Sequence, residues 1–388
     1  MTPPGVRSAP LLLMTPGPTR VPDRVLRAGA RPMIHHRTPE FASEVGAMLE
    51  MLGPLFGTAS PVLPVHTSGR GALEAAICNL FSPGDEIAVC CNGRFGEMWA
   101  GFAESYGLVV HRLARNWMHD IDPVELDRAL LEHPRLRGVA LAHCDTSTGV
   151  RNDVQLIARM AAATGALVLV DGVSALGGMP FSFDAWGVDF AATASQKCLM
   201  SAPGLAFVAL SDRARAAAAR ARLPRNYWDF RQIERDVTKS PPETPGTPPV
   251  HIVLQVAEAL RAIHDEGLEQ VFARHEAMAA LVRQRVPELG LELQCPGLRR
   301  YSPTLTAIAL PDGIAPAALR NAIKASGILT AAGLGRFAER AFRIGHMGDI
   351  RIGDVIRTLD ALAEGLRVVN GQSDERALVE PSTIPVRP

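Results

Sequence analysis

The chain carries 40 lysine and arginine side chains, and only three of them are lysines: Lys197, Lys239 and Lys324. Arginine cannot replace a lysine that must shed its proton and attack a carbonyl. Lys239 stands beside a proline-rich stretch and Lys324 inside the helical pattern 316–326. Lys197 instead follows the apolar run 190–193, in Ser195-Gln196-Lys197-Cys198. If any lysine here forms a Schiff base, it is Lys197; the plain alternative is a solvated surface charge. A second apolar run, 166–170, ends at Asp171. A carboxylate there is either a turn or helix-capping acid, or a buried anion that answers a cation.

Four shorter patterns add to these. Ser68-Gly69-Arg70-Gly71 opens a helical stretch. Free amides and the helix dipole at such a start favour an anion, although a tight turn explains the pattern equally well. His143-Cys144-Asp145-Thr146-Ser147-Thr148-Gly149 follows the run 138–142. It offers hydroxyl donors to an anion or a phenolic oxygen, or turn chemistry alone. In Asn92-Gly93-Arg94-Phe95-Gly96 the ring is either a core residue or a plate for a planar ligand. Arg343 interrupts an apolar run in Phe342-Arg343-Ile344-Gly345. It is matched there by a structural acid, or it grips a ligand's carboxylate.

The elements that must position these residues are legible in outline. The runs 87–91, 109–113, 138–142, 166–170, 190–193 and 205–210 predict short buried strands. Helical patterns over 71–81, 123–132 and 154–164 alternate with them. Near-continuous apolar runs suit a mainly parallel sheet covered on both faces, joined by right-handed crossovers. The fold class is therefore α/β, and ligands of such sheets bind at the carboxyl ends of the strands, where the candidate residues stand. Five of the nine residues 241–249 are proline, which predicts an extended loop. Helices over 250–264 and 268–285 come next. Residues 290–367 read as strand, helix, strand, helix in a smaller α+β domain. The expected division is an N-terminal arm (1–20), a large domain (21–265), a small domain (266–370) and a disordered tail (371–388).

Composition narrows the classes of function. Over 388 residues, 40 acidic side chains balance 40 basic ones, which argues against a general nucleic-acid or anionic-membrane binder. The only apolar run near the N-terminus, Leu11–Met14, is too short for a signal-peptide core, and no run approaches a membrane span. A cytoplasmic protein is expected. The six cysteines have neither C-x-x-C nor metal-site spacing and read as buried free thiols.

A lysine, a strand-end carboxylate, an anion-binding helix start, an aromatic plate and a hydroxyl-rich turn are together what a pyridoxal phosphate site needs. The chain resembles the class V aminotransferases of fold type I, and within them the alanine–glyoxylate and serine–glyoxylate group. The resemblance runs from Met14-Thr15-Pro16-Gly17-Pro18 to Arg343-Ile344-Gly345. Its specific stretches are Asp171-Gly172-Val173-Ser174-Ala175-Leu176-Gly177-Gly178, Ser195-Gln196-Lys197 with Ala202-Pro203-Gly204, and Asp145-Thr146-Ser147-Thr148-Gly149. It implies a large domain with a seven-stranded, mainly parallel sheet and a small α+β domain, pyridoxal 5′-phosphate as cofactor, and a homodimer with the site at its interface. It implies that Lys197 bonds to the cofactor and then shuttles a proton, and that Asp171 pairs with the pyridine nitrogen. Phe95 would stack on the ring, and Val173 would line the cofactor. Ser68, Gly69, Arg70 and Gln196 would surround the phosphate, and Thr146 or Ser147 would reach the 3′ oxygen. Arg343 would hold the substrate carboxylate and Gly17 present backbone to it. Thr244-Pro245-Gly246-Thr247 stands where animal members carry Tyr-x-x-Thr, so only Thr247 would reach across the dimer interface to the phosphate.

The reaction so implied is ping-pong transfer of an amino group from a small L-amino acid, alanine or serine, to glyoxylate or pyruvate. Three alternatives stay open. The donor of a specialised class V transaminase is ureidoglycine, an aminophosphonate or pyridoxamine. A cysteine desulfurase or C–S lyase uses the same fold, but typically stacks a histidine where Phe95 stands and carries a mobile-loop cysteine, whereas no cysteine follows Cys295. A binding protein that has lost catalysis is the third.

Overall fold

In the computed structural model, which describes residues 10–371, the apolar runs become strands of one seven-stranded sheet. Strand β1 (Leu12–Met14) leads into helices α1 (Asp23–Gly29) and α2 (Pro39–Phe56). The Thr38 hydroxyl caps α2 by accepting from the Phe41 amide, with Pro39 in the first turn, and Gly57 ends it at φ +65°. Along the chain then come β2 (Val62–Val65), α3 (Gly69–Leu80), β3 (Glu86–Cys90), α4 (Arg94–Ser105), β4 (Val109–Leu113), α5 (Pro123–Glu132), β5 (Leu136–Ala142), α6 (Val154–Ala162) and β6 (Leu167–Asp171). Next are α7 (Phe183–Trp186), β7 (Phe190–Ala194), β8 (Ala206–Leu210), α8 (Asp212–Arg220) and α9 (Phe230–Val237). The sheet order is β2-β8-β7-β6-β5-β3-β4, parallel except that β8 runs antiparallel to β2 and β7. The strand order reverses around β3, since β4 lies on one side of it and β5 on the other. The carboxyl ends of β3 and β5 therefore open a crevice.

Side chains alternate between two cores. Ala88, Cys90, Val139, Leu141, Val168 and Val170 belong to one, and Ile87, Val89, Ala140, Leu167 and Leu169 to the other. The sheet is thus covered on both faces, which is why its strands read as unbroken apolar runs. Helices α10 (Val250–Glu266) and α11 (Leu268–Glu288) lead to β9 (Glu292–Leu293), β10 (Leu305–Ala309), α12 (Pro316–Ala325), β11 (Ile328–Ala332), β12 (Ala341–Gly345) and α13 (Ile352–Val369). These strands form a second sheet, ordered β1-β11-β12-β10-β9, around Met14, Ile308, Phe342 and Ile344.

Several expectations need correction. Residues 290–367 hold four strands, not two, because β9, two residues long, and β12, interrupted by Arg343, are defined by pairing with β10 and β11. Residues 12–14 of the expected arm are a strand, parallel to β11. Strand β2 was not foreseen because Pro64 interrupts it; proline is tolerated there since β2 is an edge strand. Helix α3 begins at Gly69 rather than Gly71, and β6 extends through Asp171, which pairs with Ala142 and Ala192. The tail expectation for 371–388 lies, apart from Gly371, outside the described residues. All six cysteines are buried and free, and no helix of the described residues is long and apolar enough to cross a membrane.

Candidate active site

Strand ends of the large sheet carry most of the residues singled out from the sequence. Asp171 is the last residue of β6 and is buried. One of its oxygens, Oδ1, accepts from the Val173 amide at 2.9 Å; the other has no donor among the described residues. Burial pushes its pKa up to about 7, helped by the nearby charge of Asp145 and opposed by the Val173 amide and Lys197. Lys197 lies three residues after β7. Its amine donates to the Pro16 carbonyl at 2.5 Å and to Ser174 Oγ at 3.2 Å. Burial pushes its pKa down to about 8 against the pull of Asp171. Desolvation thus moves each of the two groups towards its neutral form.

The N-terminal segment closes over this lysine. Thr19 donates from its amide to Gln196 O and from its hydroxyl to Lys197 O at 2.9 Å. Gly17 has φ +123°, and a Cβ there would lie 2.7 Å from Lys197 Cδ and Cε. Only glycine serves at that position, for both its φ and its contact with the lysine stem. Gln196 has a buried Oε1 with no hydrogen-bond partner.

Helix α3 points its start into the same crevice. Ser68 precedes it with no side-chain cap, and the amides of Gly69, Arg70 and Gly71 have no acceptor among the described residues. A Cβ on Gly69 would lie 2.7 Å from a Val173 methyl, so the helix start and the turn after β6 are in close contact. Arg70 is turned away from that start, with its guanidinium 5.2 Å over the Phe102 ring. The free amides of a twelve-residue helix fit a phosphate.

The turn after β5 is tied together by an acid that the sequence reading left without a role. Asp145 is fully buried and accepts from the amides of Phe95 and Ser147 and from the Ser147 hydroxyl, at 2.5–2.9 Å. It packs against the backbone of Gly93 so closely that a Cβ there would overlap it. Asp145 therefore fixes Phe95, half-buried in the first turn of α4, relative to the β5 turn. The Ser147 hydroxyl also accepts from the Arg94 amide. It is fully engaged, whereas Thr146 Oγ1 meets Ser174 Oγ at 2.5 Å, beside Lys197. Ser174, likewise without a role in the sequence reading, links the turn to the lysine. Its only sequence signal was its place in the stretch that begins at Asp171.

Arg343, on β12 of the second sheet, reaches the same place. It donates to Thr146 O and Ala332 O, both at 2.8 Å, and has no ion pair among the described residues. Burial pushes its pKa down to about 10, though the Asp145 charge pulls it up. A buried guanidinium satisfied only by carbonyls is matched to an incoming carboxylate. Thr247 is not in this group. It is exposed and lines a separate cleft of about 180 Å³ with Pro64, His66 and Tyr227.

A lysine, an acid with a free oxygen, unpaired helix-start amides and a guanidinium bonded only to carbonyls together fit pyridoxal phosphate and an amino acid. Comparison with known proteins identifies the family. The family model described as aminotransferase class V matches residues 12–348. The chain is 37% identical, over 90% of its length and 91% of the relative's, to a Synechococcus protein named as the small subunit of a soluble hydrogenase. It is 36% identical to an L-aspartate–glyoxylate aminotransferase of Paracoccus denitrificans, covering 87% and 86% of the two chains. The crystal structure of an alanine–glyoxylate aminotransferase from Nostoc superposes with a TM-score of 0.88 at 31% identity, over 95% of this chain and 98% of that one. With nearly its whole length matched by family model, relatives and structure alike, this chain belongs to the class V aminotransferases.

Proposed function

We propose that the protein uses pyridoxal 5′-phosphate to move an amino group from a small L-amino acid, alanine or serine, to glyoxylate or pyruvate, in a ping-pong cycle. One observation carries this reading: the Lys197 amine, held by Pro16 and Ser174, shares a crevice with a buried Asp171 carboxyl that has one unmatched oxygen. When bound, the cofactor supplies an aldehyde for the lysine and an electron-withdrawing pyridine ring. Lys197 would hold it covalently and, once released, would move the proton at the substrate α-carbon, as base and then acid. Asp171 would hold the proton on the pyridine nitrogen. The amides at the start of α3, with Ser68 and Gln196, hold the phosphate. Arg70 contributes long-range positive charge from its place over Phe102. Phe95 and Val173 would enclose the ring, Thr146 would reach the 3′ oxygen with Ser147 bracing its turn, Arg343 would grip the substrate carboxylate and Gly17 would lie beside it.

In this reading the chain divides at about residues 20 and 265 into arm, large domain and small domain, and works as a cytoplasmic homodimer. Thr247, exposed and apart from its own Lys197, meets the phosphate of the other copy. The relative named for aspartate and the structure named for alanine support glyoxylate as the common acceptor.

The test is an absorbance titration of the cofactor-loaded protein with single donors. Alanine or serine should abolish the band of the lysine-bound cofactor and release the matching oxo acid, and glyoxylate or pyruvate should restore the band. Bleaching by ureidoglycine, an aminophosphonate or pyridoxamine alone would assign a specialised donor, and sulfide release from cysteine a lyase. Lys197→Ala should lower turnover by about a thousandfold or more. Wild-type turnover in that variant would refute the reading.

A further inference from the structure

At the edge of the large sheet, three metal-ligating side chains meet that the site above does not use. Glu86 is the first residue of β3, His111 lies on the neighbouring edge strand β4, and His133 ends α5. The crevice lies beyond the last residue of β3, so this cluster sits at the opposite end of that strand. His111 Nε2 is 3.0 Å from Glu86 Oε2, and the two imidazole rings stack with centroids 3.8 Å apart. One ligand atom from each of the three residues lies within 4.8 Å of the others. Arg135 binds the other carboxylate oxygen, Oε1, at 2.7 Å and so leaves Oε2 facing the rings.

A simple ion pair accounts for Glu86 with Arg135 and His111. The His133 ring has no hydrogen-bond partner among the described residues and lies stacked on His111. One cation between the ring nitrogens and Oε2 accounts for all three. We propose that Glu86, His111 and His133 bind one divalent transition-metal cation of the zinc type. Two imidazoles and a carboxylate are a donor set for zinc, with water in the remaining position, and suit Mg²⁺ or Ca²⁺ poorly. Donors bonded at about 2.0–2.2 Å around a tetrahedral ion stand about 3.4 Å apart. The outermost pair must therefore close by up to about 1.4 Å, and the two stacked rings must turn so that their nitrogens face one point, movements open to half-buried side chains. Arg135 then plays the outer-shell part, orienting the carboxylate. The ion would tie β3, β4 and the end of α5 together, with no part in turnover.

The test uses the untagged, cofactor-loaded full chain, stripped with chelator and dialysed against Zn²⁺. One Zn²⁺ per chain is expected, with a raised melting temperature and no change in transamination. His133→Asn, His111→Asn and Glu86→Gln should each weaken binding by about tenfold or more. An intact cofactor absorbance band shows that each variant is folded. His133→Asn alters only the loop after α5, so it remains informative if a strand variant fails to fold. Excess Mg²⁺ should not displace the Zn²⁺. Absence of binding in the wild type, or equal binding in His133→Asn and Glu86→Gln, would overturn the proposal.

Discussion

Two cationic side chains in the crevice are buried for different reasons, and their variants should fail differently. In the proposed reaction Lys197 needs a removable proton, and its lowered pKa supplies one near neutral pH. Arg343 would there need a permanent charge, and in the structure it finds only the carbonyls of Ala332 and Thr146. Replacing it with glutamine should raise the KM for amino donors and oxo-acid acceptors by about a hundredfold, the scale of a lost charge-assisted pair. The cofactor absorbance should be unchanged, since nothing places Arg343 at the ring. Steady-state kinetics decide it: an unchanged KM with a large fall in kcat would assign Arg343 to the chemistry instead.

Among the elements, α3 is the most demanding fit. Its first amides are free, and its first residue abuts Val173, so helix and turn are locked at one close contact. Gly69→Ala brings a methyl to 2.7 Å of the Val173 side chain. The helix start must then retreat by several tenths of an ångström from the position where its amides point at a phosphate. Cofactor affinity should fall by about tenfold, since hydrogen bonds to a charged partner are worth about 1.5–3 kcal/mol each. Reconstitution of the cofactor-free chain measures this. Unchanged affinity would mean that the phosphate is held elsewhere. The strand ends were legible because a buried parallel strand reads as an apolar run that stops where polar residues begin. The helix starts two residues before the pattern does, because glycine is a poor helix former and Gly69 and Gly71 read as a turn.

For the molecule as a whole, burial sets a pH dependence. His143, His275 and His346 are buried, and desolvation pushes their pKa values down to about 3, about 4 and about 3. The unfolded chain protonates them near 6.5. Their contribution to stability is therefore complete above about pH 6.5 and is lost as pH falls below it. In the cofactor-free chain Asp171 acts oppositely, because its raised pKa lets the folded state hold a proton up to about pH 7. The three histidines gain three protons on unfolding between about pH 4.5 and 6, and the two buried acids shifted towards their neutral forms, Asp171 and Asp145, release at most two, so the net is an uptake. Denaturant midpoints should fall steadily from pH 7 to 5, and a flat profile would contradict the buried neutral histidines.

The residue types and their order along the chain determined much on their own. They placed Lys197 and Asp171 at strand ends, the free amides of α3 nearby, and the alternation of strand and helix around them. Each is a local property, readable from a run of apolar residues and the polar residues at its end. Only the tertiary structure decided that Pro16 and Gly17 lie on the lysine, that Arg343 crosses from the second sheet to Thr146, and that Leu12–Met14 pairs with Ile328–Thr330. It also decided which hydroxyl faces the lysine, since Asp145 occupies Ser147 and leaves Thr146 to Ser174. Those contacts join segments distant in sequence. A three-residue strand or a single turn carries no pattern that names its partner, and only the packing of the two sheets brings the partners within reach.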